Sequence, residues 1–265
     1  MKYSFILLME LINEFRLGDC IEQAYSIEDH SINLMLTDPP YYIMNKQNIT
    51  FKNRSPIVLN AKFDHFKSYA EYIRFIDTWL SAYYPKLKEN SRMIVFFAVQ
   101  YNTDLIRIAK KGGFEFEAVW GWRKPNPAPK IFKKGFLSCM EYAIFLKKGN
   151  PTFNFLSQSL MHNCFEYPLL SNEEKVKDEK GEGVHPTQKP IAILEHLLKI
   201  ASNPYDLVVD PFGGVASTNV ACANLTRHCV SFEKDPTFHF YGSKRIETKK
   251  KKANINQRQK SIIEF

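Results

Sequence analysis

Long apolar runs are missing from this chain of 265 residues. No stretch approaches the roughly 20 residues that a membrane-crossing helix needs, so no membrane partner is expected. The opening Phe5-Ile6-Leu7-Leu8-Met9 is apolar but broken at Glu10. A single lysine precedes it and no small-residue cleavage site follows, which reads against a signal peptide. Cysteine is scarce. Cys20, Cys139, Cys164, Cys222 and Cys229 make an odd count with no Cys-x-x-Cys. That pattern predicts reduced thiols in a cytoplasmic protein, with no disulfide framework and no zinc site. No second histidine stands at ligand spacing from His185, so no metal is expected. Internal repeats, Gly-x-Gly-x-x-Gly and the lysine of a phosphate loop are all lacking.

What is present is basic and amply apolar. Hydrophobic residues make up 45% of the chain, enough for one core, and the formal net charge is +8. An excess of that size points to an acidic partner such as nucleic acid. Much of it comes from Lys249-Lys250-Lys251-Lys252, and a solvated basic face would look the same. Short apolar runs alternate with segments of helical spacing, which predicts a mostly parallel sheet covered by helices on both faces. Strands are expected at 15–17, 32–36, 93–99, 114–122, 141–146, 207–209 and 229–232. Helices are expected at 21–29, 69–87, 101–111, 190–201 and 217–223, with a last one starting near Pro236. Residues 43–67 lack periodicity and read as a long mobile loop. Composition changes at 150–184, polar at its end and closing on two glycines. The expected organisation is a first half at 1–149, a small insertion at 150–184, a second half of the same core at 185–248, and a frayed basic tail at 249–265.

Two stretches carry chemistry. Asp38-Pro39-Pro40-Tyr41 follows the apolar run Ile32 to Leu36. Prolines cannot continue a ladder, so the strand stops and the chain turns rigidly. A carboxylate, two preset carbonyls and an aromatic ring are then held at the carboxyl end of a strand, where open α/β sheets bind ligands. The set suits a flat base with an exocyclic amine. Asp38 and the Pro39 carbonyl can accept its hydrogen bonds, and Tyr41 can stack on its ring. An ordinary strand-ending turn remains the plain alternative.

The second stretch runs from Asp210 to Glu233. Leu207-Val208-Val209 leads into Asp210-Pro211-Phe212-Gly213-Gly214, a helix beginning with Ser217 and Thr218, and a strand ending at Glu233. An acid about 20 residues past a glycine turn is the spacing at which a carboxylate meets ribose hydroxyls. Without a phosphate-binding motif, a nucleoside lacking a diphosphate is favoured. Upstream, His185-Pro186-Thr187-Gln188-Lys189-Pro190 opens a helix, and its free N–H groups with Lys189 can hold a carboxylate.

These pieces together resemble the β-group of amino-methyltransferases that act on DNA, over nearly the whole chain. Asp38-Pro39-Pro40-Tyr41 resembles the catalytic motif. Gly18-Asp19-Cys20 resembles the turn beside the cofactor adenine, and Trp122-Arg123-Lys124-Pro125-Asn126-Pro127 the proline-rich loop near the target base. His185 to Pro190 resembles the motif that opens the cofactor half. Asp210-Pro211-Phe212 with Gly213 and Gly214 resembles the cofactor loop, and Glu233 the ribose-binding acid. The sequence departs from the family pattern at Val215 and Ala216, where Ser and a second Gly are usual, and at Tyr42.

The resemblance implies a Rossmann-like methyltransferase fold with a seven-stranded sheet in permuted motif order and S-adenosylmethionine as cofactor. It makes Asp38, Pro39, Pro40 and Tyr41 catalytic. Cofactor contacts are expected from Asp19, Cys20, Thr187, Gln188, Lys189, Asp210, Phe212, Gly213, Gly214, Ser217, Thr218, Glu233 and Lys234. Arg123, Lys124, Lys130, Lys133 and Lys134 bracket the proline-rich loop and are expected to meet DNA. The implied product is N6-methyladenine in double-stranded DNA, from a base flipped out of the duplex. N4-methylcytosine is the rival, with an RNA methyltransferase or a non-catalytic DNA-binding relative behind it. A cognate restriction endonuclease and a homodimer are the further partners that the resemblance allows, and 150–184 is the implied target-recognition insertion.

Overall fold

The computed structural model describes residues 11–43, 64–129, 133 and 135–263, with side chains placed as far as Lys251. Most of the expected 43–67 loop, together with Lys130 and Lys134, lies outside the described residues. The elements follow in the order β1 (Asn13–Leu17), α1 (Cys20–Ala24), β2 (Ile32–Thr37), α2 (Tyr69–Tyr83), β3 (Leu87–Phe97), α3 (Asn102–Lys111), β4 (Glu115–Arg123), β5 (Met140–Lys148), β6 (Cys164–Glu166), α4 (Ile191–Ala201), β7 (Leu207–Asp210), α5 (Ser217–Asn224), β8 (His228–Glu233) and α6 (Pro236–Ile263).

One sheet runs β1-β8-β7-β2-β3-β5-β4-β6. All neighbours pair in parallel except β5, which runs antiparallel to both β3 and β4. Seven of these strands are the expected core. The eighth, β6, comes from the 150–184 segment and adds itself to the edge by pairing with β4. The insertion is therefore continuous with the core sheet at this strand. A three-residue strand flanked by polar residues gives too short a period-two signal to be read in advance.

Period two sorts the strand side chains onto two cores. Met35, Met93, Val95 and Phe97 face α2 and α3, where Tyr72, Ile76, Trp79, Leu105 and Ile108 pack against them. Leu34, Leu36, Ile94 and Phe96 face the other way, onto Ile193, Leu194, Leu197 and Ala221 of α4 and α5. Helix α2 is started by Ser68, whose hydroxyl accepts from the Glu71 N–H, and Pro190 serves α4 as the residue before its first turn. Helix α1 stops at Ala24, shorter than the expected 21–29. Helix α6 does the opposite. It continues to Ile263 where a frayed tail was expected. The segment 249–263 holds no Gly or Pro, and its five lysines and two glutamines are residues that cost a helix little.

The connections place the site. From β7 the chain passes through α5 to β8, toward the β1 edge. From β2 it passes through α2 to β3, toward the opposite edge. The carboxyl ends of β2 and β7 therefore flank the point where the winding reverses, and open α/β sheets bind ligands in that crevice. Asp38 follows β2 there and Asp210 ends β7 there. The Thr37 hydroxyl donates to Asp210 Oδ1 at 2.7 Å and ties the two strand ends together.

Candidate active site

A cavity of about 540 Å3 opens over this crevice. Its floor is the Asp38-Pro39-Pro40-Tyr41 turn. Its other walls are Asp19 and Cys20 at the start of α1, Thr187, Phe212 and Gly214 after β7, and Glu233 and Lys234 after β8. A smaller neighbouring cavity is lined by Asp38, Gln188, Lys189, Asp210, Gly213, Ser217 and Thr218. Two stretches more than 150 residues apart in sequence thus share one recess.

Glu233 is set at its rim by two backbone donors. Its Oε2 accepts from the Gly214 N–H and its Oε1 from the Asp235 N–H, both at 2.8 Å. Each oxygen keeps lone-pair capacity toward the cavity. Burial pushes this carboxyl up to about 7, against the pull of those two N–H groups. Asp19 caps α1 by accepting from the Ile21 N–H at 3.0 Å, and it pairs with Lys234 at 2.9 Å. Burial works against its charge, but Lys234 and the N–H bonds prevail and hold it below the usual carboxylate range. Cys20 is buried and its thiol is pushed up to about 12, so it stays protonated and forms an apolar wall.

The turn after β7 is tight. Gly214 sits at φ +55°, and a Cβ there would stand 3.2 Å from His185 Nε2. A Cβ on Gly213 would meet Phe15 at 2.7 Å. Ala216, which stands where glycine is usual, also adopts φ +61° and is fully buried. Holding an L-residue there costs about 1 kcal/mol, yet the turn forms with the same left-handed step. Asp210 acts as its brace. Its carboxylate accepts from Thr37, Thr218 and the Phe212 N–H, and burial pushes it up to about 6. Ser217 accepts from Arg245 at 3.0 Å. The expected cofactor residues Asp210, Ser217 and Thr218 therefore hold the loop together and lie off the larger cavity. Gln188 turns away to bind Val176 and Glu174 of the 150–184 segment.

Lys189 takes a different place from the expected one. Its side chain is 7% exposed, and its ammonium lies between Asp38 Oδ2 and Glu141, 3.3 Å from Glu141 Oε2. It does not reach toward solvent to receive a carboxylate. Glu141 is the second residue of β5 and also pairs with Lys124 at 2.5 Å. Lys124, expected to meet DNA, is thereby mostly hidden against Trp122 with its charge on Glu141. Arg123 pairs with Glu166 of β6 across the exposed sheet edge. Tyr41 donates its hydroxyl to Asp38 Oδ1, and its ring lies edge-on to Phe97 at 6.4 Å. Asp64, 2% exposed, accepts from the N–H groups of Tyr41, Tyr42 and Ile43 at 2.6, 2.6 and 2.9 Å and so pins the turn from below.

A family model described as DNA methylase, of the N6/N4 group, matches residues 32–243. The match spans β2 to the first turns of α6 and so contains both strand ends and the cavity between them. The chain belongs to the N6/N4 DNA methylase family. Among curated relatives, the Type II methyltransferase M.HinfI of Haemophilus influenzae is 27% identical over 92% of this chain and 71% of its own length. The Type II methyltransferase M2.MboI of Moraxella bovis is 27% identical over 83% and 82%. Among solved structures, a complex of M1.HpyAVI with SAM superposes with a TM-score of 0.68 at 22% identity, covering 88% of this chain and 98% of that one. The cytosine-N4-specific PvuII DNA methyltransferase superposes with a TM-score of 0.67 at 20% identity, covering 86% and 84%. These likenesses establish the Rossmann-like methyltransferase fold.

Two residues of this methylase site carry no motif. Glu141 begins an otherwise apolar strand run, and an acid in such a run needs a buried cation. Asp64 stands 21 to 23 residues past the N–H groups it holds, a separation that local patterning does not bridge. Among the described residues, no cluster of three or more His, Cys, Asp or Glu could hold a metal ion, and no helix is long and apolar enough to cross a membrane.

Proposed function

We propose that this methylase moves the methyl group of S-adenosylmethionine to the exocyclic amine of an adenine flipped from double-stranded DNA, giving N6-methyladenine. The observation that carries the reading is Asp38 at the end of β2 facing the same cavity as Glu233 at the end of β8. One carboxylate suits an amine and the other a ribose diol.

The walls fit the cofactor. Glu233 offers acceptors with unused lone pairs, Phe212 and Phe238 give flat apolar sides, and the glycine turn leaves room beside His185. Burial holds His185 near a pKa of about 4, with Lys189 adding to the effect, so its imidazole is neutral and brings no like charge toward a sulfonium. When bound, S-adenosylmethionine supplies a methyl group already activated by that sulfonium charge. The protein then has to orient an amine and exclude water.

Asp38 and the Pro39 carbonyl accept hydrogen bonds from the two amine N–H groups and turn the nitrogen lone pair toward the cofactor side of the cavity; one of the two protons leaves the nitrogen after the methyl has bonded to it. Tyr41 stacks on the base. In the structure its hydroxyl sits on Asp38 Oδ1, so base entry exchanges that hydroxyl for the amine and frees the ring to rotate. The 150–184 segment is the natural reader of flanking bases. Besides the β6 pairing, it is tied to the proline-rich loop by Trp122 Nε1 donating to the Tyr167 carbonyl at 2.6 Å and the Leu169 N–H donating to Asn126 Oδ1 at 2.8 Å. Adenine is preferred over cytosine because family members acting on cytosine N4 more often carry Ser in place of Asp38.

The test is digestion of treated DNA to deoxynucleosides and mass spectrometry. N6-methyldeoxyadenosine without N4-methyldeoxycytidine is expected, and Asp38→Ala should remove it while cofactor binding persists. N4-methyldeoxycytidine alone would overturn the choice of base.

A further inference from the structure

A largely enclosed chain of alternating charges runs beneath the cavity: Asp38, Lys189, Glu141 and Lys124, with side chains 21%, 7%, 25% and 11% exposed. It starts on the turn after β2, crosses the residue before α4's proline, passes the head of β5 and ends at the start of the proline-rich loop. Lys189, Glu141 and Lys124 do not line the larger cavity that holds Asp19 and Glu233. A buried ion pair gives little or no stability over an apolar replacement of the same volume, because desolvation cancels most of the attraction. Four such groups assembled against the carboxylate that receives the amine point to that carboxylate as the reason for them.

We propose that Lys189, itself held by Glu141, is a positioning residue that keeps Asp38 ionised and aimed into the cavity. The inference rests on Asp38 being the amine acceptor. An anionic acceptor localises the amine lone pair better than a neutral carboxyl, and charge-assisted hydrogen bonds are roughly twice as strong as neutral ones. Without a cation, a carboxylate this enclosed would take up a proton. Burial pushes Asp38 upward, Lys189 opposes that, and Glu141 adds to it. The groups facing Asp38 are Tyr41 from its own turn, Lys189 before α4, Glu141 of β5 and Asp210 of β7. Lys189 is the cation among them, and it touches both carboxylates. Glu141 has a double effect. It anchors Lys189, and its own charge stands near Asp38.

This arrangement makes opposite predictions for its two members. Single-turnover methyl transfer is measured against pH with cofactor and DNA saturating. Lys189→Met leaves Asp38 beside Glu141 with no cation between them, so the acid limb should move to higher pH by about one unit or more. Glu141→Gln should move the same limb to lower pH. The double variant should return toward the wild-type profile, since removing Glu141 relieves the like charge that Lys189→Met exposes. Cofactor affinity should stay within about threefold throughout, because neither substitution touches Glu233 or Asp19. A merely structural lysine would slow transfer equally at every pH and show no rescue. An unshifted limb in Lys189→Met, or a double variant no better than the single one, overturns the proposal. If Lys189→Met does not fold, Glu141→Gln alone decides, and a limb that stays or rises overturns it. Asp38→Ala separates this from the underlying reading. Wild-type rates from Asp38→Ala would remove the amine-acceptor role, whereas an inactive Asp38→Ala beside unshifted Lys189 and Glu141 variants would remove only the role of Lys189.

Discussion

Glu233 is the residue whose environment makes the sharpest statement. Its carboxyl is pushed up to about 7 by burial, while Gly214 and Asp235 N–H groups hold it back from going further. A ribose diol donates to the carboxylate form, so cofactor binding should pull a proton off Glu233. Affinity should therefore rise with pH through the region near 7 and level off above it. Titration calorimetry in two buffers of different ionisation enthalpy should detect proton release between about pH 6 and 7, and Glu233→Gln should abolish it. Hydrogen bonds to a charged group are worth about 1.5–3 kcal/mol each, so the same variant should weaken binding about tenfold or more. The sign for the free protein is opposite. A carboxyl raised above its unfolded value of about 4.5 favours folding least when ionised, so wild type should lose stability relative to Glu233→Gln as pH rises from about 4.5 to 7. Proton uptake on binding, or none in either buffer, would place the ribose elsewhere.

At the scale of elements, the turn after β2 is held by a residue more than 20 positions further along the chain. Asp64 accepts from three successive N–H groups, and Tyr72 of α2 adds a hydrogen bond from its hydroxyl to the Pro40 carbonyl at 3.2 Å. Leaving those donors unpaired in a buried place should cost roughly 3 kcal/mol. For a chain of this size Asp64→Ala should therefore lower the melting temperature by about 6–12 °C. It should slow methyl transfer more than it weakens cofactor binding, since Glu233 stands on a different strand. A melting temperature unchanged within a degree or two would mean that the prolines alone set the turn.

The contrast between Asp64 and Asp38 shows what sequence reading can reach. Asp38 sits beside its own prolines at the end of a mostly apolar strand, so strand, stop and carboxylate are written in nine consecutive residues. The cofactor loop is legible for the same reason, with β7, two glycines, α5 and Glu233 all local. Asp64, Glu141 and the true partner of Lys189 depend on which strands become neighbours. β5 lies between β3 and β4, an order that no local pattern states. Lys189 belongs to a motif that suggested cofactor contact, and only the sheet order brings Glu141 up against it. The edge strand β6 and the helical continuation of α6 escaped for the complementary reason, since their own patterning is weak.

Taken whole, the molecule carries a formal charge of +8, and its geometry decides which of those charges can meet a phosphate. Arg123, Lys124, Lys130, Lys133 and Lys134 bracket the proline-rich loop in sequence. Within it Lys124 is 11% exposed and bound to Glu141, so its charge is already answered inside the protein. Arg123 is about half exposed and shares its charge with an equally exposed Glu166, a pairing that solvent and salt weaken readily. Lys133 is exposed. Each phosphate that a cation neutralises contributes about 0.9 to the slope of log affinity against log salt. The expected outcome is thus uneven along one loop. Lys133→Ala and Arg123→Ala should each make the slope for duplex DNA shallower, by up to about 0.9. Lys124→Ala should leave the slope unchanged and act on methyl transfer, because it frees one carboxylate oxygen of the charge chain beneath Asp38. Filter binding or anisotropy over a range of salt concentrations, with a transfer assay on the same preparations, separates the two effects. A slope that falls with Lys124→Ala and not with Lys133→Ala would mean that DNA opens the Lys124–Glu141 pair on binding, and that the loop does not dock in the conformation described.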